Sequence, residues 1–326
     1  MKAVLMDGFG GAEVLRIGEA ENPVPGEGQV LIEVAATSVN RPDIVQRLGN
    51  YPPPPGESEI LGLEVAGVVA ELGPGVSTFK IGERVIALVG GGGYAEYARA
   101  HAGHVMRIPD AMTFEQAACI CETYITAWLN LFVLAKLADG ETVLLHGGGG
   151  GVNTAGLQLC KALVPASRVI VTASPGKVDR VRKLGADFVI DYRSEDFAAA
   201  VKGYTEKKGA AVILDHIGGP YLEANLKSLG VGGRLVLIGV MGGPKAGFNL
   251  ALLMIKRQRI IGSVLRPRPI DEKAGIIAEF DRVVMPLFAS ERIAPLIHEV
   301  YPVERVAEAH RAMESSSHFG KLVLTF

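Results

Sequence analysis

Short apolar runs rich in Val, Ile and Ala recur through the first third of the chain: Lys2–Met6, Glu13–Gly18, Val30–Val39, Leu63–Leu72 and Arg84–Val89. Turn-forming groups such as Pro23-Val24-Pro25-Gly26-Glu27-Gly28 and Gly73-Pro74-Gly75 separate them. Runs of this length bounded by Gly and Pro predict strands of a barrel-like β domain. Arg41–Leu48 interrupts the pattern with a short helical stretch. Tyr51 and four prolines, Pro52–Pro55, follow as a loop stiffened in polyproline geometry.

From Thr113 the apolar period becomes helical, over Glu115–Cys121 and Thr123–Ala135. Strand and helix patterns then alternate: strand Thr142–His146, helix Val152–Leu163, strand Arg168–Ala173, helix Gly176–Leu184, strand Phe188–Asp191 and helix Glu195–Lys202. Strand Ala211–Asp215, helix Tyr221–Leu229, strand Arg234–Gly239 and a last pair, Leu250–Ile255 and Ile260–Val264, complete six strands. Such alternation predicts a parallel sheet with helices on both faces, and ligands outside the carboxyl ends of its strands. The tail predicts helices near Ala274–Ala289 and Val303–Ser315 and a strand Lys321–Phe326. With six parallel strands assigned, the tail is expected to return to the β domain. The division expected is 1–122 with 267–326 for the β domain and 123–266 for the parallel-sheet domain.

Composition adds limits. The 326 residues are 48% apolar and 21% charged, with a net charge of −2, as in an ordinary soluble protein with no bias toward nucleic acid or an anionic membrane. Cys119, Cys121 and Cys160 match neither a disulfide framework nor a zinc spacing, and a reducing cytoplasmic compartment fits them. The N-terminus lacks a signal-peptide layout, and Thr123–Ala135 is too short to span a bilayer. Lys256, Arg257 and Arg259, with Arg266 and Arg268 beyond, read as a solvated helix end.

The chemistry is concentrated where strand Thr142–His146 meets five glycines, Gly147–Gly151, and then a helix. Glycines there let backbone N–H groups approach a dinucleotide pyrophosphate, with the positive helix end facing it. The best register of G-x-G-x-x-G is Gly148, Gly150 and Asn153, so the third glycine is missing. The next strand ends in Thr172-Ala173-Ser174-Pro175-Gly176-Lys177, without the acid that holds a ribose 2′-OH in NAD-binding domains. A hydroxyl and an ammonium there suit a 2′-phosphate, and hence NADPH.

Several stretches together resemble the medium-chain dehydrogenase/reductase superfamily, in its zinc-free quinone oxidoreductase branch with zeta-crystallin and the tumour-suppressor-inducible quinone oxidoreductases. They are Ser38-Val39-Asn40-Arg41-Pro42-Asp43, Gly49-Asn50-Tyr51-Pro52-Pro53-Pro54-Pro55-Gly56, Leu61-Gly62-Leu63-Glu64, Thr126-Ala127-Trp128, the glycine turn, Leu184-Gly185-Ala186-Asp187 and Phe319-Gly320-Lys321-Leu322-Val323. The resemblance implies an α/β chain, with a GroES-like β-barrel domain plus a doubly wound Rossmann domain, and a homodimer formed near Ile260–Val264. It implies that Asn40 and Thr126 sit near the nicotinamide and that Tyr51 borders the substrate. Gly150, Gly151 and Val152 would hold the pyrophosphate, and Ser174, Lys177 and Tyr192 the 2′-phosphate. Ile217, Ile238 and Met241 would flank the nicotinamide riboside.

Zinc-dependent relatives carry a cysteine just after the strand that here ends at Val39, and a histidine before the glutamate that is Glu64. This chain has Asn40-Arg41 and Leu63 there, so no metal is expected. The expected activity is NADPH-dependent reduction of quinones or conjugated enones, with Tyr51 and Asn40 as donors to the substrate oxygen. Reduction of unsaturated acyl thioesters, or a cofactor-binding structural or RNA-binding role, are the alternatives. Asn153, where relatives have glycine, is expected to push the helix from its strand or to meet the phosphates.

Overall fold

Strand Gln29–Val39 is long enough to pair along both edges, and the first unit is built on it. In the computed structural model, which describes residues 1–326, this unit comprises Met1–Ile125 with Leu265–Phe326. Its seven-stranded sheet runs in the order Ile297–Pro302, Lys321–Thr325, Gln29–Val39, Glu64–Leu72, Arg84–Leu88 and Val105–Arg107, with Tyr97–His101 also on Gln29–Val39. Only the pairing of Ile297–Pro302 with Lys321–Thr325 is parallel. Alternate residues Val30, Ile32 and Val34 pack with Val65, Val69, Val85 and Ala98 in one core, while Val39, Leu322 and Leu324 reach a second with Val4, Ile44 and Tyr94. The tail's last strand thus completes the β sheet.

Three strands have no clear apolar run. Tyr97–His101 alternates small alanines with polar residues. Val105–Arg107 is three residues long. Ile297–Pro302 is an edge strand with only Tyr301 fully buried. The predicted helix Ala274–Ala289 is two, Ile270–Val283 and Met285–Ala289, broken ahead of Pro286, which removes a backbone donor. The predicted helix Glu115–Cys121 shortens to Phe114–Ala117, and the next begins at Cys121.

The second unit, Thr126–Val264, holds six parallel strands in the order Phe188–Asp191, Arg168–Ala173, Thr142–His146, Ala210–Asp215, Leu229–Leu237 and Arg259–Gly262. Leu144, Ile170, Ile190, Ile213 and Leu235 from the strands meet Phe197, Val201 and Leu226 from covering helices. Arg234 fastens the sheet to the preceding loop: its guanidinium donates to the Ala135 and Lys136 carbonyls and to both Glu141 carboxylate oxygens at 2.8 Å. No helix in the chain is long and apolar enough to cross a membrane.

One glycine is forced by the β sheet. Opposite Gly67 the register of Gln29–Val39 shifts, and a Cβ on Gly67 would stand 1.9 Å from the Glu33 carbonyl oxygen. Gly67→Ala should therefore cost about 1–3 kcal/mol, the scale of overpacking. Urea unfolding with unchanged stability would show that the strand can move aside.

Candidate functional site

In the second unit, strand Thr142–His146 stops because Gly147 takes a φ of +80°, a region that glycine enters freely. Gly147 and Gly148 N–H both donate to the Thr172 carbonyl, at 3.1 and 2.8 Å, which folds the turn against the neighbouring strand. A Cβ on Gly148 would come within 2.4 Å of Val171, and one on Gly149 within 2.4 Å of the Lys177 Cδ. Lys177 thus lies across the glycine turn. The first N–H groups of any helix lack an intrahelical acceptor, and helix Gly151–Leu163 begins with no side-chain cap, so those of Gly151, Val152 and Asn153 stay open. Open N–H groups, a positive helix end and an adjacent ammonium suit a phosphate-bearing ligand such as a dinucleotide.

Asn153 behaves differently from the sequence expectation. Its side chain is buried and turns back into the loop, where Nδ2 donates to the His146 carbonyl at 2.5 Å and to the Gly147 carbonyl at 3.1 Å. It ties the helix to the strand instead of pushing it away or reaching out to phosphates. Only its Oδ1 is left without a partner.

The remaining predicted contacts lie at strand ends. Ser174 follows strand Arg168–Ala173, and Tyr192 follows Phe188–Asp191, with Tyr192 N–H donating to the Ala173 carbonyl at 3.3 Å. The strand pairing therefore brings Ser174 and Tyr192 together beside Lys177. Asp215 caps its own strand end, accepting from Ile217 N–H at 2.6 Å and Asn225 Nδ2 at 2.9 Å. Gly242 N–H donates to the Ile217 carbonyl at 2.8 Å, and Ile238 N–H to the Asp215 carbonyl at 2.8 Å. Ile217, Ile238 and Met241 are thus held on two joined loops. His146 is buried between Thr172 and Asn225, and burial drives its pKa down to about 4, so it is a neutral strut. Helix Cys121–Trp128 widens into a π turn over Leu129–Leu134, and Asn130 Nδ2 donates to the Thr126 carbonyl at 2.7 Å. The Thr126 hydroxyl keeps no partner within the protein.

In the first unit the sites expected at Asn40 and Tyr51 have different surroundings. Glu64 is fully buried and collects four donors: Ser38 Oγ at 2.5 Å, Asn40 Nδ2 at 2.9 Å, Lys321 Nζ at 2.9 Å and Glu122 N–H at 2.8 Å. Lys321 Nζ also donates to Asn40 Oδ1. Both ends of the Asn40 amide are engaged, leaving no free donor for a substrate oxygen. Asn40 N–H donates to Asp43 at 2.7 Å, and Asp43 also accepts from Gly62 N–H and the Tyr94 hydroxyl. Burial raises Asp43 to about 6 against those donors, so it is ionised at neutral pH. Tyr94 reaches His310, which takes a donor from Arg47, whose other arm pairs with Glu314.

Tyr51 is partly buried, with its ring 5.0 Å from the Arg266 guanidinium carbon. Arg266 donates to the carbonyls of Gly90 and Tyr51 and to Gln46 Oε1, which fixes it under the ring. The sequence placed Arg266 on a solvated helix end; it is 7% exposed, because these three acceptors surround it. Burial, then the Glu122 charge, pushes the Tyr51 phenol up to about 12 while Arg266 opposes them. Its hydroxyl makes no hydrogen bond within the protein. Lys321, Arg266 and Glu122 were missed as site residues because their partners are remote in sequence; the Phe319–Val323 motif was the one signal for Lys321.

A zinc ion does not fit these residues. No three His, Cys, Asp or Glu side chains are grouped to ligate one, and the Glu64 oxygens are already taken. The three thiols are buried apart from any such group, and burial pushes Cys119 and Cys121 well above their ordinary range and Cys160 up to about 12.

Two substitutions test the geometry. Lys321→Met leaves the buried Glu64 charge without its cation and should cost about 3–5 kcal/mol, with Glu64→Gln added to it recovering much of the loss. Asn153→Gly takes the side-chain donor from the His146 and Gly147 carbonyls and should lower stability by about 1–3 kcal/mol. Chemical denaturation of each variant measures both, and unchanged midpoints would remove these roles.

Residues 184–324 match the family described as zinc-binding dehydrogenase, and residues 26–110 match the alcohol dehydrogenase GroES-like domain. The human protein named quinone oxidoreductase is 34% identical over 331 residues, covering 99% of this chain and 97% of its own. The synaptic vesicle membrane protein VAT-1 homolog of Rattus norvegicus is 31% identical over 340 residues, covering 99% of this chain and 84% of its own. A mycobacterial protein solved in complex with NADPH superposes with a TM-score of 0.88 at 31% identity over the whole of both chains. With its Rossmann sheet, GroES-like unit and full-length relatives, the chain belongs to the medium-chain dehydrogenase/reductase superfamily of oxidoreductases.

Proposed function

We propose that the protein is an NADPH-dependent, zinc-independent reductase of quinones and conjugated enones. The observation that carries this reading is a phenol, Tyr51, held over Arg266 with its hydroxyl unspent, in a unit whose residues cannot ligate a metal. The quinone oxidoreductase name of the human relative and the NADPH of the mycobacterial one support it.

When bound, the reduced dinucleotide supplies a hydride. Gly151 and Val152 would receive its pyrophosphate on open N–H groups, Gly148 and Gly150, whose N–H groups close the turn, would let it approach, and Lys177 would add a cation. Ser174 and Tyr192 border the 2′-phosphate, and no carboxylate directly follows the Arg168–Ala173 strand to repel it. Thr126, Ile217, Ile238 and Met241 orient the nicotinamide end. Negative charge grows on the substrate oxygen as hydride reaches its carbon, and the Tyr51 hydroxyl donates to that oxygen. Asn40 acts at one remove, holding Lys321 and Glu64. Buried, unpaired cysteines fit a cytoplasmic protein. The open edge strand Arg259–Gly262, beside exposed Met254 and Ile255, fits a homodimer.

NADPH should bind more tightly than NADH, and Lys177→Glu should narrow or reverse the gap, since a charge-assisted contact is worth about 1.5–3 kcal/mol, or roughly 10- to 150-fold. Equal dissociation constants for the native protein would refute the NADPH choice. Tyr51→Phe should slow enone reduction about 10- to 100-fold and quinone reduction only a few-fold, on a scale of tenfold per 1.36 kcal/mol. Steady-state rates on one quinone, one enone and one enoyl thioester decide the substrate class. Unchanged turnover on all would take Tyr51 out of the mechanism. Elemental analysis finding one tightly bound zinc per chain would reverse the metal-free reading.

A further inference from the structure

The reaction proposed above consumes a proton as well as a hydride, and Tyr51 at about 12 holds its own too tightly to supply it readily. Glu122 stands in the first turn of helix Cys121–Trp128, and its N–H is pinned to Glu64 Oε2 at 2.8 Å. Its carboxyl group, partly buried, makes no hydrogen bond or ion pair within the protein. The contrast with its neighbours is sharp: Glu64 has four donors and Asp43 three, while the Glu122 side chain has none. Glu122 lies within electrostatic reach of Tyr51, whose hydroxyl is also unspent. It also precedes Thr126 by four residues on one helix, which puts the two on the same helical strip.

We propose that Glu122 is the general acid of the reductase, the side chain that gives its proton to the substrate as hydride is added. This rests on the reductase reading. In the step, the hydride and its electron pair pass from the reduced dinucleotide to the β-carbon of the enone, and the C=C electrons shift toward oxygen. The Glu122 O–H bond breaks and its proton goes to that oxygen, giving an enol and a carboxylate. The enol tautomerises to the saturated ketone, and water reprotonates Glu122 after product leaves. With a quinone, the same proton goes to the hydroquinone anion.

The surroundings keep the acid loaded. Burial comes first and the Glu64 charge second in raising Glu122; Asp43 adds to them, while Lys321 and Arg266 pull down. The balance lies at about 8, so most molecules carry the proton at neutral pH. Helix-start carboxyls are ordinarily favoured in the ionised form, so the desolvated, acid-flanked setting outweighs the helix dipole here.

Glu122→Gln and Glu122→Asp test the proposal in the full-length protein. The amide keeps the shape and an N–H but cannot release a proton. Glu122→Gln should lower enone kcat about 100-fold, the ordinary scale of general acid catalysis, with KM little changed. Glu122→Asp should recover part of the loss. Native enone turnover should fall as pH rises through about 8, and this limb should vanish in Glu122→Gln. A second readout needs no turnover: the protonated-carboxyl infrared band that titrates near 8 should be missing from Glu122→Gln. Stability gives a third. A folded pKa above the unfolded one contributes stability present below the unfolded value and lost as pH rises through the folded one. The native melting temperature should therefore fall relative to Glu122→Gln between about 4.5 and 8. Full enone turnover by a folded Glu122→Gln, or a Glu122 already ionised at pH about 6 by infrared, overturns the proposal while the reductase reading stands. A native protein that binds NADPH but reduces no quinone, enone or enoyl thioester overturns that reading and this proposal with it.

Discussion

The carboxylate of Glu64 is the constraint from which the first unit takes its shape. Removing an ion of this size from water costs several kcal/mol even after relaxation, and only good geometry with further hydrogen bonds offsets it. Those bonds come from four places in the chain: Ser38, Asn40, the start of the Cys121 helix, and Lys321 near the C-terminus. Because the charge tolerates no missing donor, it fixes the last strand against Gln29–Val39 and the register at which the helix begins. From Asn40 the order continues without a break. Its N–H meets Asp43, which receives the Tyr94 hydroxyl, and His310 sits between Tyr94 and Arg47. Arg47 can only donate, so His310 Nδ1 accepts from it, and Nε2–H donates to Tyr94. Burial, then Arg47, lowers His310 to about 3, which agrees with that neutral form.

Much of this was legible in the sequence, for identifiable reasons. The central parallel strands are buried on both faces and read as nearly continuous Val, Ile and Leu, so their order of appearance was plain. Ile297–Pro302 was not, because an edge strand with one buried side chain has no apolar signature. The glycine turn was legible as a turn. The role of Asn153 was not, since a motif written in glycines values space, whereas this turn is closed by an amide bonded to two carbonyls. Arg266 looked like surface charge because its acceptors, Gly90, Tyr51 and Gln46, lie 176 to 220 residues earlier. Local patterning reports which face is apolar; it does not report which distant carbonyl will meet a guanidinium.

One physical effect, desolvation, then divides the work between two side chains. It raises both Tyr51 and Glu122, and both face the same Arg266. The outcomes differ because a phenol starts at 10.0 and a carboxyl at 4.5. At about 12 the phenol is a donor that stays a donor across the physiological range. At about 8 the carboxyl is loaded at neutral pH yet weak enough as a base to let its proton go to an enolate. In the proposed reductase, hydrogen-bond donors fixed at a partly dry position would meet the charge that grows on the substrate oxygen. The arrangement depends on Glu64, because the four donors that converge on it also fix the start of the helix that carries Glu122.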